Sequence, residues 1–139
     1  MIRSARIDDV PMIRRLMQSE AGFWDTTWRV DVLERALNSA VDLAFVWEEG
    51  GQIRGFICAH DLGFRAYLNE LIVAKSIRTR GVGTQLVQHI EHLLEKRGCS
   101  VLISDVWKDS VPFYKSLGWA EPGVVLLRKH LKTNLPISN

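Results

Sequence analysis

Arg78-Thr79-Arg80-Gly81-Val82-Gly83-Thr84 lies between a strand-like run, Tyr67 to Val73, and an amphipathic helix pattern, Val82 to Arg97. A glycine turn that leads from a strand into a helix N-terminus makes an anion site. Unpaired backbone N–H groups point outward there, and the helix dipole favours negative charge. Glycines at 81 and 83 remove the Cβ atoms that would hold a phosphate off the backbone. Arg78 and Arg80 can add charge-assisted hydrogen bonds. The segment reads as a binding loop for a phosphorylated ligand, a pyrophosphate in particular.

Two other phosphate loops do not fit. A P-loop requires a Gly-Lys pair, and the chain contains none. A dinucleotide fingerprint requires a third small residue three positions after its second glycine, where this chain has the bulky Leu86. What remains is Arg-x-x-Gly-x-Gly at the start of a long helix. That spacing resembles the acetyl-CoA pyrophosphate loop of the GCN5-related N-acetyltransferases.

Working outward, Met1 to Arg6 reads as a first strand, and Asp8 or Asp9 caps a helix carrying Val10, Ile13, Leu16 and Met17 on one face. A second helix pattern runs from Val30 to about Ser39. Leu43 to Glu49 and Ile53 to Leu62 form a hairpin around Gly50-Gly51. A strand over Arg65 to Ala74 precedes the phosphate loop and its helix, which Gly98 stops. Val101 to Val106 reads as a buried strand. Ser110 caps a short helix ended by Gly118, and Trp119 and Val124 to Arg128 read as closing strands. The order β-α-α-β-β-β-α-β-α-β-β predicts an α/β fold, a mixed sheet with helices on both faces. No repeat or linker divides the chain, so 1–139 is expected to be one domain.

The same order is the one the N-acetyltransferase family shows, so the resemblance extends over essentially the whole chain and implies the acyl-CoA N-acyltransferase fold. Ile2-Arg3-Ser4-Ala5-Arg6-Ile7-Asp8-Asp9 resembles the family's opening strand and helix cap. Tyr67-Leu68-Asn69-Glu70-Leu71-Ile72-Val73 resembles its central strand, and Phe113-Tyr114-Lys115-Ser116-Leu117-Gly118-Trp119 its late helix.

The bulk properties exclude several functions. A net charge of +2 leaves no footprint for nucleic acid or an anionic membrane. At 47% hydrophobic and 24% charged residues the chain is not disordered. No apolar run approaches the roughly 18 residues that span a bilayer, and the N-terminus lacks a signal-peptide core, so a cytoplasmic protein is expected. Cys58 and Cys99 both fall in predicted strands and read as buried thiols.

The resemblance implies acetyl transfer from acetyl-CoA to a primary amine, by direct attack in a ternary complex with no protein nucleophile and no metal. It assigns the backbone of Leu71, Ile72 and Val73 to the pantetheine arm and the thioester oxygen. Arg78, Thr79, Arg80, Gly81, Val82, Gly83 and Thr84 fall to the pyrophosphate. Thr79 stands where the family often has glycine, and Trp107 where it often has a hydrogen-bonding asparagine, whose contact is lost or replaced by stacking. Tyr114 matches a tyrosine that lies near the coenzyme sulfur and acts as general acid; the alternative is an aromatic packing residue. Glu70 is the first choice of general base and an acceptor contact, against a plain strand-surface residue, with Asp105 and His60 behind it. Trp24 and Trp28, beside Phe23 and Asp25, occupy the connection that lines the acceptor pocket in relatives; the alternative is that they cover the sheet. The acceptor is a small molecule or a protein amine, and a homodimer is compatible with the family. A non-catalytic acyl-CoA sensor is the rival reading: it needs the loop but neither Tyr114 nor Glu70.

Overall fold

The computed structural model describes residues 1–138. Five strands form one sheet: β1 (Ile2–Ser4), β2 (Ala44–Glu49), β3 (Gln52–Asp61), β4 (Ala66–Val73) and β5 (Leu102–Ile103), in that spatial order. The first four are antiparallel. Helix α3 (Val82–Lys96) carries the chain back across the sheet, so β5 runs parallel to β4. Helices α1 (Val10–Ser19) and α2 (Val32–Ala40) lie on one face, α3 and the short α4 (Val111–Ser116) on the other.

The alternation of side chains along β3 feeds both layers. Phe56 and Cys58 join Ile13, Met17, Leu33 and Leu37 beneath α1 and α2. Ile57 and Ala59 join Leu86, Val87, Ile90 and Leu94 beneath α3. A strand buried on both faces has no polar side to show, which is why β3 reads as a near-continuous apolar run. The N-terminus is tied to this frame by Arg3, whose guanidinium donates to both carboxylate oxygens of the buried Asp9 at 2.8 and 2.9 Å.

One irregularity matters for function. Cys58 pairs with Glu70 but the next residue, Ala59, pairs with Leu68, so Asn69 bulges out of β4. The bulge places Glu70 on the α1–α2 face opposite Cys58 while Leu68 stays under α3.

Four expectations are corrected. Trp119 and Val124 to Arg128 form no strands: after Gly118 the described chain is irregular, with a single bridge between Ile137 and Arg29. The apolar side chains of Val124, Val125, Leu126 and Leu127 are exposed, because an apolar run supplies the material for a strand but not the partner it must pair with. The strand expected over Val101 to Val106 contracts to Leu102–Ile103, and Val101 is 49% exposed rather than buried. Cys99 accordingly sits in the turn before β5, half-buried. Finally, α2 starts at Val32 rather than Val30, and the Val30 N–H donates to the Pro136 carbonyl of the returning tail.

Candidate active site

β4 and β5 share only two register pairs, Ala66 with Leu102 and Tyr67 with Ile103, and then diverge. From Asn69 to Val73 the β5 side of β4 has no strand beside it. In an antiparallel ladder, alternate residues turn their N–H and C=O towards the neighbour and away from it. The Ala74 N–H donates to the Arg54 carbonyl on the β3 side, so the main-chain groups of Leu71 and Val73 face the gap, and those of Ile72 face β3. The Val73 carbonyl does accept from Arg78 Nε across that side, at 3.1 Å.

The gap opens into a cavity of about 1000 Å³, bounded by Leu71 and Val73, by Arg78, Gly81, Gly83 and Thr84 at the α3 N-terminus, and by Trp107 to Ser110 with Phe113. Ala21, Gly22 and Phe23, from the connection after α1, form its remaining wall. Gly81 turns the chain into α3 with φ of +76°, a conformation in which a side chain is strained. At Gly83 an added Cβ would lie 3.4 Å from the Phe113 ring, so any larger branch would project into the cavity mouth. The cradle, the N–H groups of the first helical turn and the volume of the cavity together fit a large phosphate-bearing ligand such as a coenzyme A thioester.

Both loop arginines are held by carboxylates. Arg78 pairs with Glu20 at 3.0 Å, and Glu20 also accepts the Lys75 backbone N–H. Arg80 makes a two-pronged pair with Glu49 at 2.9 and 3.0 Å. That pair, with the Trp47 indole N–H, holds the Glu49 carboxyl down at about 2.

Glu70 stands beside the gap, on the opposite side of β4 from Leu71. Burial, reinforced by the nearby Asp105 carboxylate, raises its carboxyl to about 7. No hydrogen bond to its carboxylate is found among the described residues. A base with that affinity for protons is matched to work near neutral pH. Tyr114, 8% exposed, packs edge-on against Phe113 and Trp119 beneath α3. Burial and then the field of Glu70 push its hydroxyl up to about 12, so it keeps its proton until a strong base is offered. The Tyr67 hydroxyl donates to Asp105, which holds that carboxylate at the end of the sheet.

Residues 10–119 match the model of the acetyltransferase (GNAT) family. The chain belongs to that family. Among curated proteins, 72 residues are 32% identical to GCN5-related N-acetyltransferase 3, chloroplastic, of Arabidopsis thaliana; they make up 51% of this chain and 30% of that one, so the match spans under a third of the relative. Two solved structures share the fold. A transcriptional regulator from Bacillus halodurans C-125 superposes with a TM-score of 0.77 at 20% identity, over 94% of this chain and 99% of that one. Aminoglycoside N-acetyltransferase AAC(6')-Iy in complex with CoA gives 0.70 at 22% identity, over 94% and 100%.

In this GNAT fold the residues singled out from the sequence divide into groups. Leu71, Val73, Arg78, Gly81, Gly83, Thr84 and Trp107 line the large cavity. Thr79 and Arg80 lie in the 3-10 turn just before α3, outside its lining; Ile72 and Val82 point into the two cores. Trp107 is 64% exposed, and its ring lies 3.7 Å from where a Gly22 Cβ would stand, so it spans the cavity mouth to the connection after α1. Trp24 and Trp28 meet edge-on at 5.3 Å, with the Arg14 guanidinium 5.1 Å above Trp24. Both are partly buried against the α1–α2 core, and only Trp28 reaches a cavity, a smaller one that Glu70 also lines. Asp25 turns back on Thr27 instead of facing that cavity. His60 is engaged by Ser39 and Asn69. Of the cavity residues, Lys108 and Asp109 carried no signal beyond their closeness to Trp107 in sequence, while Ser110 was read as a helix cap and Phe113 as part of the late-helix motif, neither as lining.

Proposed function

We propose that this chain is an N-acetyltransferase that moves the acetyl group of acetyl-CoA to a primary amine by direct attack within a ternary complex. The observation that carries this reading is the divergence of β4 and β5. It turns the N–H groups of Leu71 and Val73 into a cavity that ends at a helix N-terminus; Glu70 and the buried Tyr114 lie outside its lining but near enough for the Glu70 field to act on the Tyr114 hydroxyl. The complex of a structural relative with CoA supports the choice of coenzyme.

The chemistry divides among few groups. When bound, acetyl-CoA supplies a thioester carbonyl; the N–H groups of Leu71 and Val73 stabilise charge as it develops on that oxygen. The first turn of α3 and Arg78 hold the pyrophosphate, and Arg80 reaches it once released from Glu49. Glu70 takes a proton from the incoming ammonium, leaving the nitrogen lone pair free to form the C–N bond. As the C–S bond breaks, Tyr114 gives its proton to the departing sulfur and is restored by the second proton that the nitrogen sheds on becoming an amide. Cys58 is not a nucleophile here: burial and the field of Glu70 push its thiol up to about 12.

Calorimetric titration with acetyl-CoA, with acetate and ATP as controls, followed by an amine screen for CoA release, tests the reading. Micromolar binding and turnover of an amine are expected. Absence of coenzyme binding would sink it; binding without turnover of any amine would favour an acyl-CoA sensor.

A further inference from the structure

A second cavity of about 150 Å³ lies between α1, α2 and the sheet. Its walls are apolar: Met17, Trp28, Val32, Leu33, Ala36 and Phe56. At the β4 end stand Cys58, Asn69 and Glu70. Cys58 keeps its proton and behaves as a small apolar wall. The Asn69 amide is 3.2 Å from His60 Nε2, whose ring is held on its other nitrogen by Ser39 at 3.1 Å. That leaves the Glu70 carboxylate as the one charged group of the cavity, without a hydrogen-bond partner among the described residues, with the Trp28 indole N–H as the other polar group. The pocket is therefore an apolar chamber with one anion at its end, and that anion adjoins Leu71, whose backbone faces the large cavity.

Resting on the transferase reading above, we infer that this chamber receives the side group of the acceptor, and that the acceptor is a primary amine carrying a compact apolar group about the size of a benzene ring. A dry, apolar cavity of about 150 Å³ accommodates one benzene molecule. With the ring among Met17, Trp28, Leu33 and Phe56, an aminomethyl group extends towards Glu70, where the ammonium meets its counter-charge beside the strand whose next residue, Leu71, lines the large cavity. Sugar hydroxyls would find no partners along these walls, and the second ammonium of a diamine would find no second carboxylate there. Size and polarity both select against aminoglycosides and polyamines.

The test compares benzylamine, putrescine and glucosamine in CoA release, and titrates benzylamine calorimetrically into the protein with and without acetyl-CoA. Benzylamine is expected to exceed both others in kcat/KM by at least about tenfold. Ala36→Leu, which fills the chamber, is expected to lower its kcat/KM and its affinity by about tenfold, with acetyl-CoA affinity unchanged. Benzyl alcohol, the neutral isostere, is expected to compete with benzylamine on the unaltered protein, a measurement that stands even if Ala36→Leu does not fold. Putrescine or glucosamine matching benzylamine, no benzylamine binding, or no competition by benzyl alcohol overturns the inference while coenzyme binding stays intact. Loss of acetyl-CoA binding by the unaltered protein overturns the transferase reading instead, and benzylamine titration alone then decides whether the chamber binds an apolar amine.

Discussion

Arg80 donates to both carboxylate oxygens of Glu49, locking a phosphate-loop cation onto the end of β2. The pair is solvent-exposed, with about half of the Arg80 side chain accessible, so it is weak enough for a ligand phosphate to displace. Glu49→Gln removes the competing charge. Acetyl-CoA affinity is expected to rise about threefold, most visibly at low salt, in a calorimetric titration. Unchanged affinity at low salt would mean that Arg80 does not reach the coenzyme.

Gly83→Val places a branched side chain against Phe113 at the cavity mouth, where even a Cβ lies 3.4 Å from the ring. Coenzyme affinity is expected to fall by more than about tenfold, as blocked phosphate approach requires. Thermal unfolding run alongside separates a blocked site from an unfolded chain.

As the proposed base, Glu70 is expected to set the acid limb of the pH profile. Its carboxyl, raised to about 7, is protonated below that pH and cannot accept a proton, so kcat/KM should climb through pH 7 and level off above it. Glu70→Gln should remove that limb and lower the plateau. The linkage to stability has the opposite sense: a carboxyl raised on folding binds its proton more tightly in the native state, so its contribution is present at pH 4 and lost as pH rises towards 7. Glu70→Gln should therefore be the more stable protein at pH 8, by up to about 3 kcal/mol, in denaturant titrations.

Tyr114→Phe keeps the ring contacts with Phe113 and Trp119 and removes only the hydroxyl. Turnover should drop by more than about tenfold with coenzyme affinity nearly unchanged, since an acid acting on the departing sulfur works only in the transition state. Equal turnover would leave Tyr114 as a packing residue.

The elements legible from sequence are those whose signals are local. Gly50-Gly51 adopts φ of 58° and 75°, the two positive values that a tight hairpin demands, and the strands flanking it fall within a residue of their expected ends. Helix α3 was marked at both ends, by the phosphate loop and by Gly98, and by its apolar face between them. The bulge at Asn69 was not legible, because it is a property of the pairing of β3 with β4 and not of either strand alone. The small chamber beside Glu70 was hidden for a similar reason: its walls come from α1, the following connection, α2, β3 and β4, and only folding assembles them. Val124 to Leu127 misled because strand-forming residues do not guarantee an adjacent edge to pair with.

Asp9 supports the frame rather than the chemistry. It is 3% exposed, accepts from Arg3 at both oxygens and from the Arg6 N–H, and the Arg3 guanidinium holds its carboxyl below the usual range. Asp9→Ala should cost about 3 kcal/mol, the low end for breaking a buried pair, because Arg3 retains Glu48. A group depressed in the folded state contributes its stability above its unfolded value of 3.8 and loses it as pH falls through the folded value. The variant should accordingly show a shallower acid limb in its unfolding curve.

The spatial order of the sheet repeats the order of the chain, with every strand next to its sequence neighbour. The β2–β3 hairpin and β4 can therefore zip together through short loop closures, whereas β1 joins β2 only across the long connection that carries α1 and α2. On the other edge, β5 reaches β4 only after α3 has crossed the sheet. The strand that α3 delivers is the one whose departure from β4 opens the cavity, so a chain in which β5 had not docked would keep the β2–β3–β4 sheet and lack the gap.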